Sequence, residues 1–317
     1  MPDVLIAPDK LRGTYTAVEA AEALARGWRE VRDDPLRLLP LADGGEGTAA
    51  ALLAVRGGRW ETADVHDALG RPCRARFAVL DGGDAVLDVA EACGLWRVAD
   101  VPRDPMAASS FGAGELIRAA FAGGAGRVVV GVGGTASSDG GAGLREALGG
   151  SLPGELVAAL DVDNPATGPQ GAAAVYGPQK GASPEQVAEL DRRIAALGLP
   201  ERPGAGAGGG IGGMLMLLGA TAVPGGELVI TEAGLDRWLG DASLCVTAEG
   251  RIDAQTLSGK VVAVVAAHCR SAGVPCVAVG GQVDRAAAEQ LEALGVEVVE
   301  QGDLVAAGRQ VAQIAPV

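Results

Sequence analysis

The sequence predicts an α/β protein in which a discontinuous, mostly parallel-sheet domain is interrupted by an inserted α+β domain. Three observations carry that prediction. Strand–loop–helix units recur at both ends of the chain, their rhythm stops near Arg59 and resumes near Val223, and the intervening stretch opens with alternating polar and apolar residues between turn signals. The expected domains are therefore 1–58 with 223–317, and 59–222.

The first unit begins with the strand Val4-Leu-Ile-Ala, which ends at Pro8-Asp-Lys-Leu-Arg-Gly-Thr. Thr16-Ala-Val-Glu is a capping box, and the helix it starts carries Val18, Ala21, Ala25 and Trp28 on one stripe. Leu36–Leu41 reads as a second strand, followed by Ala42-Asp-Gly-Gly-Glu-Gly-Thr and a short helix. Asp9 and Asp43 thus fall just beyond strand carboxyl ends, the edge where open parallel sheets bind ligands. Trp60–Val65, Cys73–Leu80 and Ala85–Val89 read as strands of the inserted domain, and Ser183-Pro-Glu-Gln as a helix start. After Val223 come strands at 244–247, 275–279 and 296–299, each followed by an apolar-periodic helix.

Composition limits the partners. At 317 residues with 48% hydrophobic content the chain has ample core, and with 3% aromatics that core must be Ala, Val and Leu. A net charge of −14 argues against nucleic acid and against an anionic membrane surface. An anionic substrate would need a local positive pocket in that field. Five scattered cysteines without a C-x-x-C pair read as reduced and buried, and two histidines leave little material for a zinc site. No apolar run reaches the ~20 residues of a membrane span, and the start enters a strand without a signal-peptide pattern, so the expected location is cytoplasmic.

Chemistry concentrates at Gly131-Val-Gly-Gly-Thr-Ala-Ser-Ser-Asp-Gly-Gly-Ala-Gly143, between the apolar run Arg127–Val130 and a helix starting near Leu144. Strand, glycine-rich loop and helix together aim backbone N–H groups at a phosphate, and the helix N-terminus adds partial positive charge. The loop is neither a Walker A nor an orthodox Gly-x-Gly-x-x-Gly pattern, and a plain βα turn would need fewer glycines. Lys10, Lys180 and Lys260 are the only lysines, all in segments dense in Gly, Asp or Ser. A compact ammonium suits a phosphate.

Six segments, taken in order, resemble the type I glycerate kinases over nearly the whole chain. They are Ala7-Pro-Asp-Lys-Leu-Arg-Gly, Leu41-Ala-Asp-Gly-Gly-Glu-Gly-Thr, the central loop, Asp161-Val-Asp-Asn-Pro with Gly177-Pro-Gln-Lys-Gly-Ala, Pro203-Gly-Ala-Gly, and Ala248-Glu-Gly-Arg-Ile-Asp with Gly259-Lys260. The resemblance implies a Rossmann-like domain interrupted by an α+β domain, with the site in an interdomain cleft. It also implies phosphorylation of D-glycerate by ATP with Mg²⁺, most often to 2-phosphoglycerate. On that footing Gly133, Gly134, Thr135, Ser137 and Ser138 are expected to hold nucleotide phosphates, and Asp43, Glu46 and Asp139 to ligate Mg²⁺. Arg251, Lys180 and Lys260 would neutralise phosphoryl or carboxylate charge, Asp253 would act as base with Asp163 as runner-up, and Asp9, Arg12 and Asn164 would contact substrate.

The chain also departs from the family pattern. Lys10 and Arg12 stand where Ser and Lys are usual, Thr135 and Ser138 replace Ser and Asn, and Ala248 replaces Gly. The segment from Gly150 to Leu160 is shorter than the family's by several tens of residues, and the stretch before Pro203 is shorter too. Another small hydroxy acid as acceptor, a dinucleotide-dependent dehydrogenase, and a non-catalytic ligand-binding relative are the alternatives. A homodimer is compatible with this reading.

Overall fold

A computed structural model describes residues 3–11, 13–254, 256–257 and 260–315. Its elements in chain order are β1 (Asp3–Ile6), α1 (Ala17–Arg29), β2 (Leu36–Leu38), α2 (Thr48–Arg56), β3 (Gly58–His66), β4 (Pro72–Leu80), β5 (Ala85–Asp88), α3 (Ala90–Cys93) and α4 (Phe111–Ala122). They continue with β6 (Arg127–Val132), α5 (Ala142–Ala147), β7 (Glu155–Leu160), α6 (Ala172–Tyr176), α7 (Pro184–Ala195), α8 (Ala207–Leu217) and β8 (Thr221–Pro224). The chain ends through α9 (Gly225–Ala233), α10 (Leu235–Leu239), β9 (Ala242–Ile252), α11 (Val261–Ala272), β10 (Cys276–Val283), α12 (Arg285–Ala293), β11 (Val296–Glu300) and α13 (Leu304–Ile314). The chain divides into two compact units: Met1–Asp43, Ala50–Arg56 and Gly226–Val317 form one, Gly44–Ala49 and Gly57–Gly225 the other.

The first unit is built on a five-stranded parallel sheet in the order β11-β10-β9-β1-β2. From β1 the chain steps outward to β2, while from β9 it steps the opposite way through β10 to β11. The direction of winding therefore reverses between β1 and β9, which is where such sheets open a crevice beyond their carboxyl ends. Helix α1 starts as its sequence dictates, with Thr16 N donating to Glu19 at 2.8 Å and Glu19 N donating to the Thr16 hydroxyl at 3.2 Å. Its buried face (Ala20, Ala21, Leu24, Ala25, Trp28) packs with Leu304, Ala307 and Val311 of α13 over the sheet. Gly27 and Gly308 let the two helices approach closely, since a Cβ on either would overlap backbone of the other helix. Fully burying a side chain such as Leu24 contributes about 1.5–3 kcal/mol.

The second unit carries a six-stranded sheet in the order β3-β4-β5-β6-β7-β8. The β3–β4–β5 part is antiparallel, as the alternating sequence predicts, but β5 to β8 are parallel with helical crossovers. The sheet is thus mixed, with more α/β character than the α+β expectation. Two strands are unanticipated, β7 and the short β8; the sequence of β7, Glu-Leu-Val-Ala-Ala-Leu, is buried from its second residue onward. A strand covered on both faces shows no alternation, so nothing in its pattern separates it from a buried helix turn.

Residues Gly44–Ala49, expected in the first domain, group with the second unit. Their hydrogen bonds explain this: Gly44 O accepts from Val132 N at 2.9 Å, and Asp88 accepts from Gly47 N at 2.8 Å and Ala49 N at 3.2 Å. Among the described residues no helix is long and apolar enough to cross a membrane.

Candidate active site

In the first unit the reversal point of the sheet carries an acidic cluster with its counter-charges. Asp9 follows β1 and is 5% exposed, with its amide donating to Ala248 O of β9 at 2.9 Å and its carboxylate accepting from Lys10 N at 2.7 Å. Burial pushes the Asp9 carboxyl up to about 7, with Asp43 adding repulsion and Lys10 opposing both. Lys10 Nζ and Asp43 Oδ1 form an ion pair at 2.8 Å. Arg12, an expected substrate contact, lies outside the described residues.

Glu249 lies within β9, pairs in register with Gly280 of β10 and is 5% exposed. Burial raises its carboxyl to about 7, against the Thr256 hydroxyl bond and the Lys260 charge, which favour the ionised form. Arg251 is exposed and pairs with Asp253 at 3.5 Å. Lys260 is half-buried at the N-cap of α11 and its side chain makes no capping hydrogen bond. A cation there opposes the helix dipole, so helix formation does not account for it. Asp9, Lys10, Asp43, Glu249, Asp253 and Lys260 therefore form one charged neighbourhood, linked by the pairings and mutual charge effects just given.

The glycine-rich loop of the second unit differs from its sequence expectation in three respects. First, its glycines are required by packing. A Cβ on Gly131 would lie 2.7 Å from Asp88 Oδ1, and one on Gly133 2.6 Å from Asp161 Oδ2. Second, the helix that follows, α5, is six residues long, and its N-terminus is already occupied by an anion of the chain. Asp139 accepts from Gly141 N and Gly143 N at 3.1 Å, and from Ser110 N and Ser110 Oγ at 2.8 Å. Asp139 thus pins the loop, with both carboxylate oxygens engaged by the chain's own donors. The replacement Asp139→Ala is expected to cost about 3 kcal/mol or more, because charge-assisted bonds are lost and amides stranded. Urea unfolding measures this, and lost activity at unchanged stability would point to the expected Mg²⁺-ligand role.

Third, the hydroxyls are inside. Thr135 is 2% exposed, and Ser137 and Ser138 are fully buried. Lys180, 4% exposed, donates to Ser137 O at 2.5 Å and Thr135 Oγ1 at 3.2 Å. It braces the loop from within instead of facing a ligand. Burial pushes its pKa down to about 8. Among the described residues the Ser137 and Ser138 hydroxyls make no hydrogen bond. Gly134 is exposed at the loop surface with φ +68°, beside Glu46, whereas Gly133 is buried against Asp161 and Gly45, so of the expected phosphate-loop residues Gly134 alone is exposed.

Asp163 is exposed in the loop after β7. Asn164 is committed to that loop's own structure, donating to Gln170 O at 2.8 Å and accepting from the Tyr176 hydroxyl at 2.6 Å. Sequence reasoning singled out neither Glu249 nor Thr256. The available signal was Glu249 inside the quoted Ala-Glu-Gly-Arg-Ile-Asp segment, where Arg251 and Asp253 carry expected roles and Glu249 none; that Glu249 is buried beside Asp9 follows from the pairing of β9 with β1, which no local pattern carries.

A sequence profile of the glycerate kinase family matches residues 4–156 and 151–301. The chain is similar to the glycerate kinase of Bacillus subtilis (strain 168), at 39% identity over 326 residues, covering 89% of this chain and 85% of the relative. It is also similar to the glycerate 2-kinase of Escherichia coli (strain K12), at 36% identity over 324 residues, covering 88% and 85%. Among solved structures it is similar to a protein assigned as glycerate kinase 2 of Salmonella typhimurium LT2. That match has a TM-score of 0.80 and 32% identity, covering 98% of this chain and 97% of the other. With sequence and fold agreeing over most of its length, the chain belongs to the glycerate kinase family and is an enzyme, a kinase.

Proposed function

We propose that the protein phosphorylates D-glycerate with ATP in the presence of Mg²⁺, giving 2-phosphoglycerate by direct in-line transfer. The observation that supports this best is the Asp9–Glu249 pair at the sheet reversal, with Lys10 and Lys260 as counter-charges. Carboxylates and cations held together at that edge suit an acceptor that is itself an anion carrying a hydroxyl. The relative named glycerate 2-kinase favours the 2-phosphate product.

In this reading Asp253 receives the proton of the attacking hydroxyl as its oxygen bonds to the γ-phosphorus and the bond to the ADP oxygen breaks. Lys260 and Arg251 offset charge on the phosphoryl group or on the glycerate carboxylate, and Asp9 orients the acceptor. The amides of Gly133 and Gly134 take the nucleotide phosphates, and Lys180 acts by holding Ser137 and Thr135 beneath them. Among the described residues no three acidic, histidine or cysteine side chains form a protein-only metal cage. The donors nonetheless fit Mg²⁺, which needs only one or two carboxylates beside substrate phosphates, and Asp43 or Glu46 would supply them. Mg²⁺ would contribute neutralisation of phosphate charge.

Coupled ADP release from purified protein tests the reaction. Turnover is expected only when D-glycerate, ATP and Mg²⁺ are all present, and its absence above background sinks the reading. ³¹P NMR of the product separates 2- from 3-phosphoglycerate. A panel of small hydroxy acids in the same assay addresses the departures at Lys10 and in the shortened middle region.

A further inference from the structure

Thr256 occupies an unusual position for a loop hydroxyl. It is fully buried four residues beyond the end of β9, in the segment that leads to α11. Its hydroxyl donates to Glu249 Oε1 and accepts from Asp253 N at 3.0 Å, while its own amide donates to Asp253 O at 3.0 Å. One hydroxyl therefore ties a carboxylate inside the strand to the backbone of the loop that carries Asp253. A hydroxyl has a single proton, and of its two acceptor neighbours the Glu249 carboxylate is much the nearer, Arg251 O lying at 3.4 Å. Among the described residues no hydrogen bond is made by the second oxygen of Glu249.

We propose that Glu249 is a further catalytic carboxylate of this kinase, contacting the acceptor hydroxyl through Oε2, and that Thr256 is the residue that positions it. The inference rests on the glycerate kinase reading above and deepens it, giving Glu249 a contact with the reacting hydroxyl and bringing in Thr256, which that reading does not use. Glu249 arrives from the strand neighbouring β1, so it faces the same sheet edge as Asp9. A glutamate carboxylate, with three side-chain torsions between its backbone and its head, drifts unless something fixes it. Thr256 fixes one oxygen and leaves the other directed by geometry. It couples Glu249 to Asp253 through its own backbone as well, so both carboxylates shift together if the hydroxyl is lost. Thr256 itself is too deep to touch substrate.

The test compares Thr256→Val, Thr256→Ser and Glu249→Gln with wild type in the coupled assay at saturating ATP. Valine keeps the shape and removes the hydroxyl, whereas serine keeps the hydroxyl and removes a methyl. Thr256→Val is expected to lower kcat by about 10²-fold, the cost typical of a small misplacement of a reacting group. KM for ATP should stay near wild type, the thermal midpoint should fall by the few degrees that stranding the Asp253 amide costs, and Thr256→Ser should restore most of both turnover and midpoint. Glu249→Gln, which leaves Thr256 in place, should lose turnover at least as severely. Normal kcat in Thr256→Val or in Glu249→Gln overturns the inference, as does a serine variant as slow as the valine one. If Thr256→Val fails to fold, Glu249→Gln alone decides. A wild-type enzyme without glycerate-dependent turnover overturns the functional reading and this inference with it, whereas an active wild type beside unaffected variants overturns only the inference.

Discussion

Replacing Lys180 by methionine is expected to lower turnover about 10²-fold or more and to remove a contribution to stability that, in the wild-type protein, increases between about pH 8 and pH 10.5. The two effects have one cause. The Lys180 ammonium is buried against Ser137 O and Thr135 Oγ1, the innermost part of the glycine-rich loop, and burial brings its pKa down from 10.5 to about 8. Below pH 8 the residue is charged both folded and unfolded, so the folded state bears the full cost of desolvating it. Between pH 8 and 10.5 the unfolded chain holds a proton that the folded one has released, and stability therefore increases with pH. A shift of that size corresponds to roughly 3 kcal/mol across the interval.

Buried thiols titrate in the same region with the opposite sign. Cys93, pushed up to about 12 by burial, keeps its proton in the fold after the unfolded chain has lost it, so its effect weakens the fold as pH rises. The informative quantity is thus the difference between the wild-type and Lys180→Met curves from urea unfolding at each pH. Parallel curves would show that Lys180 is not titrating as a buried charge. Normal turnover in the variant would show that bracing the loop has no bearing on the reaction. Lost turnover with the expected pH difference would place Lys180 as a structural brace on which activity depends, different from the direct charge donor its sequence context predicts.

That difference illustrates what was legible in the sequence. Local signals translated directly into structure. The Thr16 and Ser183 capping boxes start α1 and α7, and the alternating stretches around Leu69-Gly-Arg-Pro pair as β3 and β4. Such features depend on neighbours within a few residues, so one sequence window contains their cause. The glycine-rich loop was legible as a special place, but the burial of its hydroxyls and the internal bonds of Asp139 were not. Glycines at 131 and 133 are needed because Asp88 and Asp161, about 40 and 30 residues away in sequence, crowd them, and no local pattern carries that information. The same holds for Asp139, whose partner Ser110 comes from the start of α4. Glu249 reads from sequence as part of the loop after a strand ending at Thr247, with no role, whereas β9 runs on to Ile252, and the place of Glu249 at the site comes from the neighbouring β1 and from Thr256.

Lys260 provides the other large expected effect, and here rate and stability should separate. Lys260→Ala is expected to reduce kcat by roughly 10²–10³, the usual consequence of removing one preorganised charge from a transition state. Stability should stay within about 1 kcal/mol of wild type, because two terms of opposite sign nearly cancel. The ammonium sits at the N-cap of the twelve-residue α11, where the helix dipole disfavours a cation, and its side chain accepts no capping bond that alanine would forfeit. Removing it relieves that repulsion but also removes the charge that favours ionised Glu249. A surface lysine serving solubility would show neither effect, and a structural one would lose stability together with rate. The measurement pairs steady-state kinetics with urea unfolding of the same preparation. Near-normal kcat would remove Lys260 from the reaction, and a loss of several kcal/mol would make it part of the scaffold. The expected combination, slow but stably folded, is that of a cation kept at an unfavourable helix position for the charge on its substrate.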